Sequence, residues 1–233
     1  MERSRRRVSC VIGVRRPCKV RAAIFLNGVP DSPDLLQSVA GHADLVIAAD
    51  GGARHALEAG VVPDLVVGDM DSLGEAWMRQ VEECGTLLDL HPARKDKMDG
   101  HLAVLAARNR GADEADLLCA FGGLHSAIFA IPHILLIAEQ SSIQTQAVAD
   151  WGQVFVFNTG SRIVAGEPGD SVSIFPFAGT AAGVTLEGFV YPLKNARMDA
   201  GDTLGFHNEL AAFEALVSVE TGTLLVIHEK VSG

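Results

Sequence analysis

Three aspartates directly behind apolar runs are the residues of this chain best placed to do chemistry. Asp50 closes Leu45-Val46-Ile47-Ala48-Ala49 and opens Gly51-Gly52-Ala53; Asp69 closes Leu65-Val66-Val67-Gly68 and opens Met70-Asp71-Ser72. Continuous apolar runs ending in Gly and Asp read as central parallel strands whose carboxyl ends open onto a site. Side chains alternate along an extended backbone, so Asp69 and Asp71 are expected on one side of it. Two carboxylates about 4 Å apart repel by roughly 4 kcal/mol at an effective dielectric of 20. A divalent cation removes that cost, and Mg²⁺ takes one or two carboxylates together with substrate phosphates. Aspartate also caps turns and helices, which accounts for any one of these residues. Three at the ends of two successive strands point instead to a metal and phosphate site.

A second acidic group, Lys95-Asp96-Lys97-Met98-Asp99, stands at a loop-to-helix junction. Asp96 and Asp99 are three apart and would share a face in a first helical turn. A helix N-terminus attracts phosphate through its unpaired N–H groups, and Lys95 adds a point charge for the same purpose. Further on, Gly122-Gly123 follows an apolar run, where a missing Cβ lets backbone approach a ligand closely or makes a tight strand-to-helix turn.

The elements that must position these residues alternate. Strands are expected at Ala22–Leu26, ending at the turn dipeptide Asn27-Gly28, at 45–49 running into Asp50, at 65–68 running into Asp69, at 87–90, and at Asp116–Phe121. Helices are expected at Pro33–Ala40, at Ala53–Ala59 stopped by Gly60, from an N-cap at Ser72 to Gly85, and at Gly100–Arg110 closed by Gly111. Such alternation builds a parallel sheet with crossover helices. After about Gln146 the texture becomes short strands, at 154–157, 171–175, 183–186 and 224–227, separated by Gly, Asn, Asp and Pro. That is the pattern of an all-β sandwich or barrel. The fold class is therefore α/β followed by a C-terminal β-sandwich, with residues 1–21 as a basic extension, 22–145 as the α/β unit that carries the acids and 146–233 as the second unit.

The chain has 233 residues, a net charge of −10 and four cysteines without a CxxC pair. Scattered cysteines fit reduced thiols and a cytoplasmic location, and no apolar run is long enough to span a membrane. Residues 1–21 carry eight basic side chains against Glu2 alone, a local +7 that leaves −17 on residues 22–233. An acidic body argues against nucleic acid as a partner. The basic head lacks the apolar core of a secretory signal and reads as a solvated arm.

Taken together these pieces resemble the thiamine pyrophosphokinase family. The resemblance rests on ADGGA at 49–53, PDLVVGDMDS at 63–72, KDxxD at 95–99, FGG at 121–123, Gly183 through Leu193, Gly205-Phe206-His207-Asn208-Glu209 and Glu220 through Ile227. It implies transfer of a diphosphoryl group from ATP to the hydroxyl of thiamine with release of AMP, by a homodimer with sites between subunits. It assigns Asp69, Asp71, Asp96 and Asp99 to Mg²⁺ and the triphosphate, with Lys95 beside them. Asn27, Asp50, Gly51, Gly52, Gly122 and Gly123 fall to the nucleotide, and Tyr191, Leu193, His207 and Asn208 to the thiamine pocket.

The chain departs from the family pattern in one segment. Where the family has Gly-Gly-Arg-x-Asp-His and then Asn four residues beyond, this chain reads Gly122-Gly123-Leu124-His125-Ser126-Ala127, with Ile131 at the Asn place. Met98, His101 and His207 also replace the usual Thr, acid and Ser. Pro132 would interrupt a helix there, at about 3 kcal/mol. An arginine at a phosphoryl-transfer centre is worth about 10³–10⁵ in rate, so its absence predicts a slow enzyme, with His125 and His133 as nearby substitutes. Two further readings stay open: a diphosphokinase for another alcohol such as a pterin, and a catalytically silent nucleotide- or thiamine-binding regulator.

Overall fold

The computed structural model describes residues 19–92, 96–123 and 125–231. In chain order the elements are β1 (Arg21–Phe25), α1 (Pro33–Gly41), β2 (Leu45–Ala49), α2 (Gly52–Glu58), β3 (Leu65–Gly68), α3 (Glu75–Glu83), β4 (Leu87–Leu90), α4 (Asp99–Asn109), β5 (Glu114–Leu118) and α5 (His125–Gln140). There follow β6 (Gln144–Ala149), β7 (Gly152–Phe157), β8 (Gly160–Ala165), β9 (Ser171–Pro176), β10 (Ala181–Glu187), β11 (Leu193–Met198), β12 (Gly205–Glu209), β13 (Glu214–Val219) and β14 (Leu224–Glu229).

Ten strands form one sheet in the order β12-β9-β14-β7-β6-β5-β1-β2-β3-β4, and four form a second, β11-β10-β13-β8. Strands β6 through β4 of the large sheet run parallel, whereas β7, β14, β9 and β12 are antiparallel to their neighbours. The expected α/β plan with a C-terminal sandwich is thus present. The sheet itself continues unbroken across residue 146, because β6 pairs with β5 on one side and β7 on the other.

Three cores hold the layers together. Ile24, Ile47, Val67 and Leu117 pack against Val104 of α4 and Ile134 and Leu135 of α5 on one face. Phe25, Ala48 and Val66 pack on the other face against Leu36 of α1, Ala56 of α2 and Val81 of α3. Burial of strands on both faces is why their sequences are continuously apolar rather than alternating. Beyond β7 the same sheet lays Phe155, Val172, Ile174 and Val226 against Val164, Val184, Leu186 and Val217 of the second sheet.

Four local expectations are corrected. Helix α3 begins after Gly74, at φ +76°, not at Ser72; the Ser72 hydroxyl is committed elsewhere, as described below. Strand β5 stops at Leu118 rather than Phe121, because Cys119 takes φ +52°. Pro132 does not interrupt α5, which runs through it. The carbonyl that loses a partner there belongs to Ile128, a half-exposed position where water can serve it. Helix α4 starts at Asp99, after an extended Met98, so Asp96 lies before the helix and does not share its face.

Candidate active site

In the strand order, β1 sits between β5 and β2. Chain connections leave in opposite directions there, and the carboxyl ends of such strands form the natural crevice of an open α/β sheet. The loops after β1 and β5 meet at that point: Gly28 N donates to Cys119 O at 2.9 Å and Val29 N to Phe121 O at 2.7 Å. No side chain fits at Gly28, since a Cβ would lie 2.5 Å from Cys119 O. Asp31 fixes the same junction by accepting from Cys119 N and Asp150 N, while Asp150 accepts from the backbone and hydroxyl of Ser32 at 2.6 Å each.

One strand over, Asp50, Asp69 and Asp71 each place a carboxylate oxygen within 4.8 Å of the others. The convergence of Asp69 and Asp71 does not come from strand alternation, as the sequence suggested. Strand β3 ends at Gly68 and Met70 adopts φ +63°, so a turn brings the two together, with Asp71 N donating to Asp69 Oδ1 at 3.3 Å. Asp99, at the start of α4, faces the same point: a Cβ on Gly68 would lie 3.0 Å from Asp50 Cβ and 3.1 Å from Asp99 Oδ1. Gly68 therefore holds two acids in close approach and does so at φ +150°, which favours glycine.

Ser72 is the hub that sequence reasoning missed. Its hydroxyl donates to Asp50 Oδ2 at 2.6 Å and accepts from Gly51 N at 3.1 Å and from Asn27 Nδ2 at 3.2 Å. One donor and two lone pairs are all used, so a single side chain locks Asp50, the Gly-Gly turn and the β1 loop. The signal was the DMDS run itself, read as a helix cap. Asp50 is buried and its Oδ1 accepts no hydrogen bond among the described residues. Burial pushes its pKa up, and the charges of Asp99, Asp69 and Asp71 add to this against the opposing Ser72 bond. A buried, unpartnered carboxylate oxygen among like charges is a poor resting arrangement without a cation. Hard oxygen donors in this number fit Mg²⁺.

Beside the acids lies a cavity of about 390 Å³, lined by Asn27, Gly28, Asp50, Asp99 and Gly122 and, on its α5 side, by Ala130, Ile131 and Ile134. Ile131, at the position where the family pattern has Asn, is buried in the core as well as lining this wall. Gly51 and Gly52 are buried at the start of α2; a Cβ on Gly52 would lie 2.2 Å from Phe25 O. Gly122 and Gly123 both adopt positive φ in the turn before α5. Asp96 is exposed and offers no ligand atom to the acidic group. Lys95 and Leu124 lie outside the described residues. His125 is exposed at the first turn of α5, and His133 packs on Phe177 with ring centroids 5.4 Å apart.

The residues expected at thiamine are gathered on the β-sandwich. Asn208 is buried and spends its amide on Tyr191, accepting from its N–H at 3.0 Å and donating to its carbonyl at 2.7 Å. That bond presents Tyr191, which is exposed. His207, at φ +58°, stacks on Phe206 and bonds Ser171 through Nδ1. Leu193 packs at the edge of the sandwich core. This group and the acids are not brought together within one chain. Strand β12 stands seven places from β2 in the sheet, roughly 35 Å at the usual strand spacing.

Comparison with known proteins agrees with this architecture. The family description "Thiamin pyrophosphokinase, catalytic domain" matches residues 36–147, and "Thiamin pyrophosphokinase, vitamin B1 binding domain" matches residues 161–226. A thiamine pyrophosphokinase of Bacillus subtilis is 28% identical over 208 residues, 87% of this chain and 97% of the relative. The crystal structure of thiamine pyrophosphokinase from that organism superposes with a TM-score of 0.80 at 27% identity, over 91% of this chain and 100% of the other. That of thiamin pyrophosphokinase from Geobacillus thermodenitrificans gives 0.78 at 30% identity, over 92% and 99%. The match to both family descriptions, carried by a fold that puts the strand-end acids in one group, makes this chain a member of the thiamin pyrophosphokinase family.

Proposed function

We propose that this protein transfers the diphosphoryl group of ATP to the hydroxyl of thiamine, as a Mg²⁺-dependent cytoplasmic homodimer. The hydroxyl oxygen forms a bond to the β-phosphorus as the bond from that phosphorus to the oxygen retained by AMP breaks. The observation that carries the reading is the acidic group at the carboxyl ends of β2 and β3, with a buried Asp50 oxygen that has no hydrogen-bond partner among the described residues. Asp50, Asp69, Asp71 and Asp99 would hold the cation. When bound, that ion supplies positive charge against the triphosphate and the charge that develops on it. The chain's own work is positioning: Ser72 keeps Asp50 and the Gly51-Gly52 turn in register, and Asn27 and Gly122 border the cavity where the nucleotide would lie, with Gly123 next in the same turn. Asp96, exposed ahead of α4, would meet the phosphates from outside the acidic group.

The roughly 35 Å between the acids and the Tyr191–His207 group supports a site shared between two copies, with Tyr191, Leu193 and His207 contributed by the partner and Asn208 holding Tyr191 in place. The division of labour is then an N-terminal unit, residues 22–145, for ATP and Mg²⁺, and a C-terminal unit, residues 146–233, for thiamine. The apolar α5 wall at Ala130, Ile131 and Ile134 supports a turnover slower than in relatives that keep the arginine, since no cation faces the acids from that wall among the described residues. Release of AMP from Mg²⁺-ATP, measured with and without thiamine, tests the function. Thiamine-dependent AMP is expected; AMP release only with another alcohol, or ATP binding without turnover, overturns it.

A further inference from the structure

A second cavity, about 460 Å³, lies at the opposite end of the sheet from the acids. It opens beside Arg21, Glu114 and Gln144, which begin β1, β5 and β6, and is closed by β7 and by β8 and β13 of the second sheet. Volume is in the range of small-molecule sites. Its lining is polar where a gap between two apolar cores would ordinarily be filled by hydrocarbon, and that polarity is organised.

Most of its charges are already matched. Asp116 is buried and accepts from Arg21 Nε at 2.8 Å, Arg21 Nη2 at 3.2 Å and Gln146 Nε2 at 2.8 Å. Glu114 pairs with Lys19 at 2.6 Å. Arg162, on β8, is different. Its side chain is 19% exposed, its guanidinium comes no closer than 3.7 Å to Glu139, and it makes no hydrogen bond among the described residues. Burial lowers its pKa, against the attraction of Glu139 and Glu114. Held by one ion pair longer than a hydrogen bond, the guanidinium keeps N–H donors for water or for a ligand in the cavity. A carboxylate matches that fork in shape and charge.

Two side-chain amide oxygens that accept no hydrogen bond among the described residues line the same cavity. Gln146 must turn its amide nitrogen to Asp116, which leaves Oε1 for the cavity. Asp170 accepts from His228 Nε2 at 2.8 Å; with a neutral imidazole, Nδ1 accepts from Gln153 Nε2 at 3.3 Å, and Gln153 keeps its Oε1. Ser161 adds a hydroxyl, and Phe155 an apolar surface. A cation with a single loose ion pair, sharing a cavity with two amide oxygens, suits a molecule with a negative and a hydrogen-donating end.

We propose that this cavity binds a small amino-carboxylate, with its carboxylate on the Arg162 guanidinium and its ammonium on the Gln146 and Gln153 amide oxygens. The site is independent of the phosphoryl-transfer centre, and because it spans β5–β6 and β8–β13 its ligand ties the second sheet to the parallel sheet. The test is thermal unfolding of the purified full chain with each common amino acid, succinate and inorganic phosphate as separate probes. At least one amino acid is expected to raise the melting temperature by about 5 °C or more at a hundred-fold excess over its Kd. Arg162→Met is expected to abolish that shift while leaving the melting temperature of the ligand-free protein within about 2 °C, since the contact it removes, with Glu139 at 3.7 Å, is a partly exposed ion pair longer than a hydrogen bond. No shift with any amino acid overturns the proposal. An equal shift with phosphate or succinate overturns the amino-carboxylate class, and a ligand-free Arg162→Met far below wild type shows that Arg162 is structural.

Discussion

Replacing Asp50 by Asn separates the cost of the acidic group from its use. The substitution keeps shape and leaves an oxygen to accept from Ser72, and Asn tolerates the φ of +46° found at this position. Oxygens of Asp69 and Asp71 lie within 4.8 Å of Asp50, so each pair repels by about 3.5 kcal/mol at an effective dielectric of 20. Solvent at exposed Asp71 and half-exposed Asp69 screens this, and about 1–2 kcal/mol is a reasonable total. In chelator, Asp50→Asn should therefore be more stable than wild type, by about 2–6 °C in melting temperature for a chain of this size. The sign of the pH dependence follows from the raised folded-state pKa of Asp50, which burial causes first and Asp99, Asp69 and Asp71 increase. Its contribution is fully present below the unfolded carboxylate value and is lost as pH rises through the folded one, a decline the Asn variant should lack. Calorimetry in chelator and then across a Mg²⁺ titration reads both effects. Mg²⁺ should stabilise wild type and leave Asp50→Asn nearly unmoved. A variant less stable than wild type in chelator, or equal stabilisation of both by Mg²⁺, would refute the reasoning.

Three other perturbations address the hub, the acid limb and the shared site. Ser72→Ala should lower kcat/KM by about 10–100-fold with little loss of stability, because it frees Asp50, Gly51 and Asn27 from one another at a partly wet position; an unchanged rate would remove Ser72 from the machinery. Asp170 lies buried, a penalty outweighed by bonds from Val231 N, His228 and Glu167 N that together hold its pKa below the usual range. Its stabilisation is present above the unfolded value and lost as pH falls below about 4. Asp170→Asn should therefore flatten the acid end of the stability profile and cost about 1–3 kcal/mol near neutrality by denaturant unfolding; an unaltered acid limb would contradict this. Asp71→Asn and Tyr191→Ala, each impaired alone, should recover about one quarter of wild-type activity when subunits are mixed and exchanged, since half the dimers then carry one intact shared site. No recovery would place both residues in one chain's site.

The strands behind Asp50 and Asp69 were legible because burial on both faces forces continuous apolar runs, and an Asp or Gly must follow where the sheet ends. The same periodicity gave α1, α2 and α4 and the shift to sandwich texture after the parallel strands. Strands β8, β11 and β13 were not legible, since their exposed faces dilute the apolar signal and their pairing is decided by partners far along the chain. Residue types alone said that carboxylates at strand ends would meet a cation, and motif order pointed to the family. Only the folded chain decided which carboxylates meet. A left-handed Met70 replaces strand alternation, the start of α4 brings Asp99 to Gly68 and leaves Asp96 outside, and Ser72 becomes a hub instead of a cap. The physical reason is range: strand and helix patterns are local, whereas a hydroxyl's choice among three partners and the gathering of acids from separate loops are set by tertiary packing.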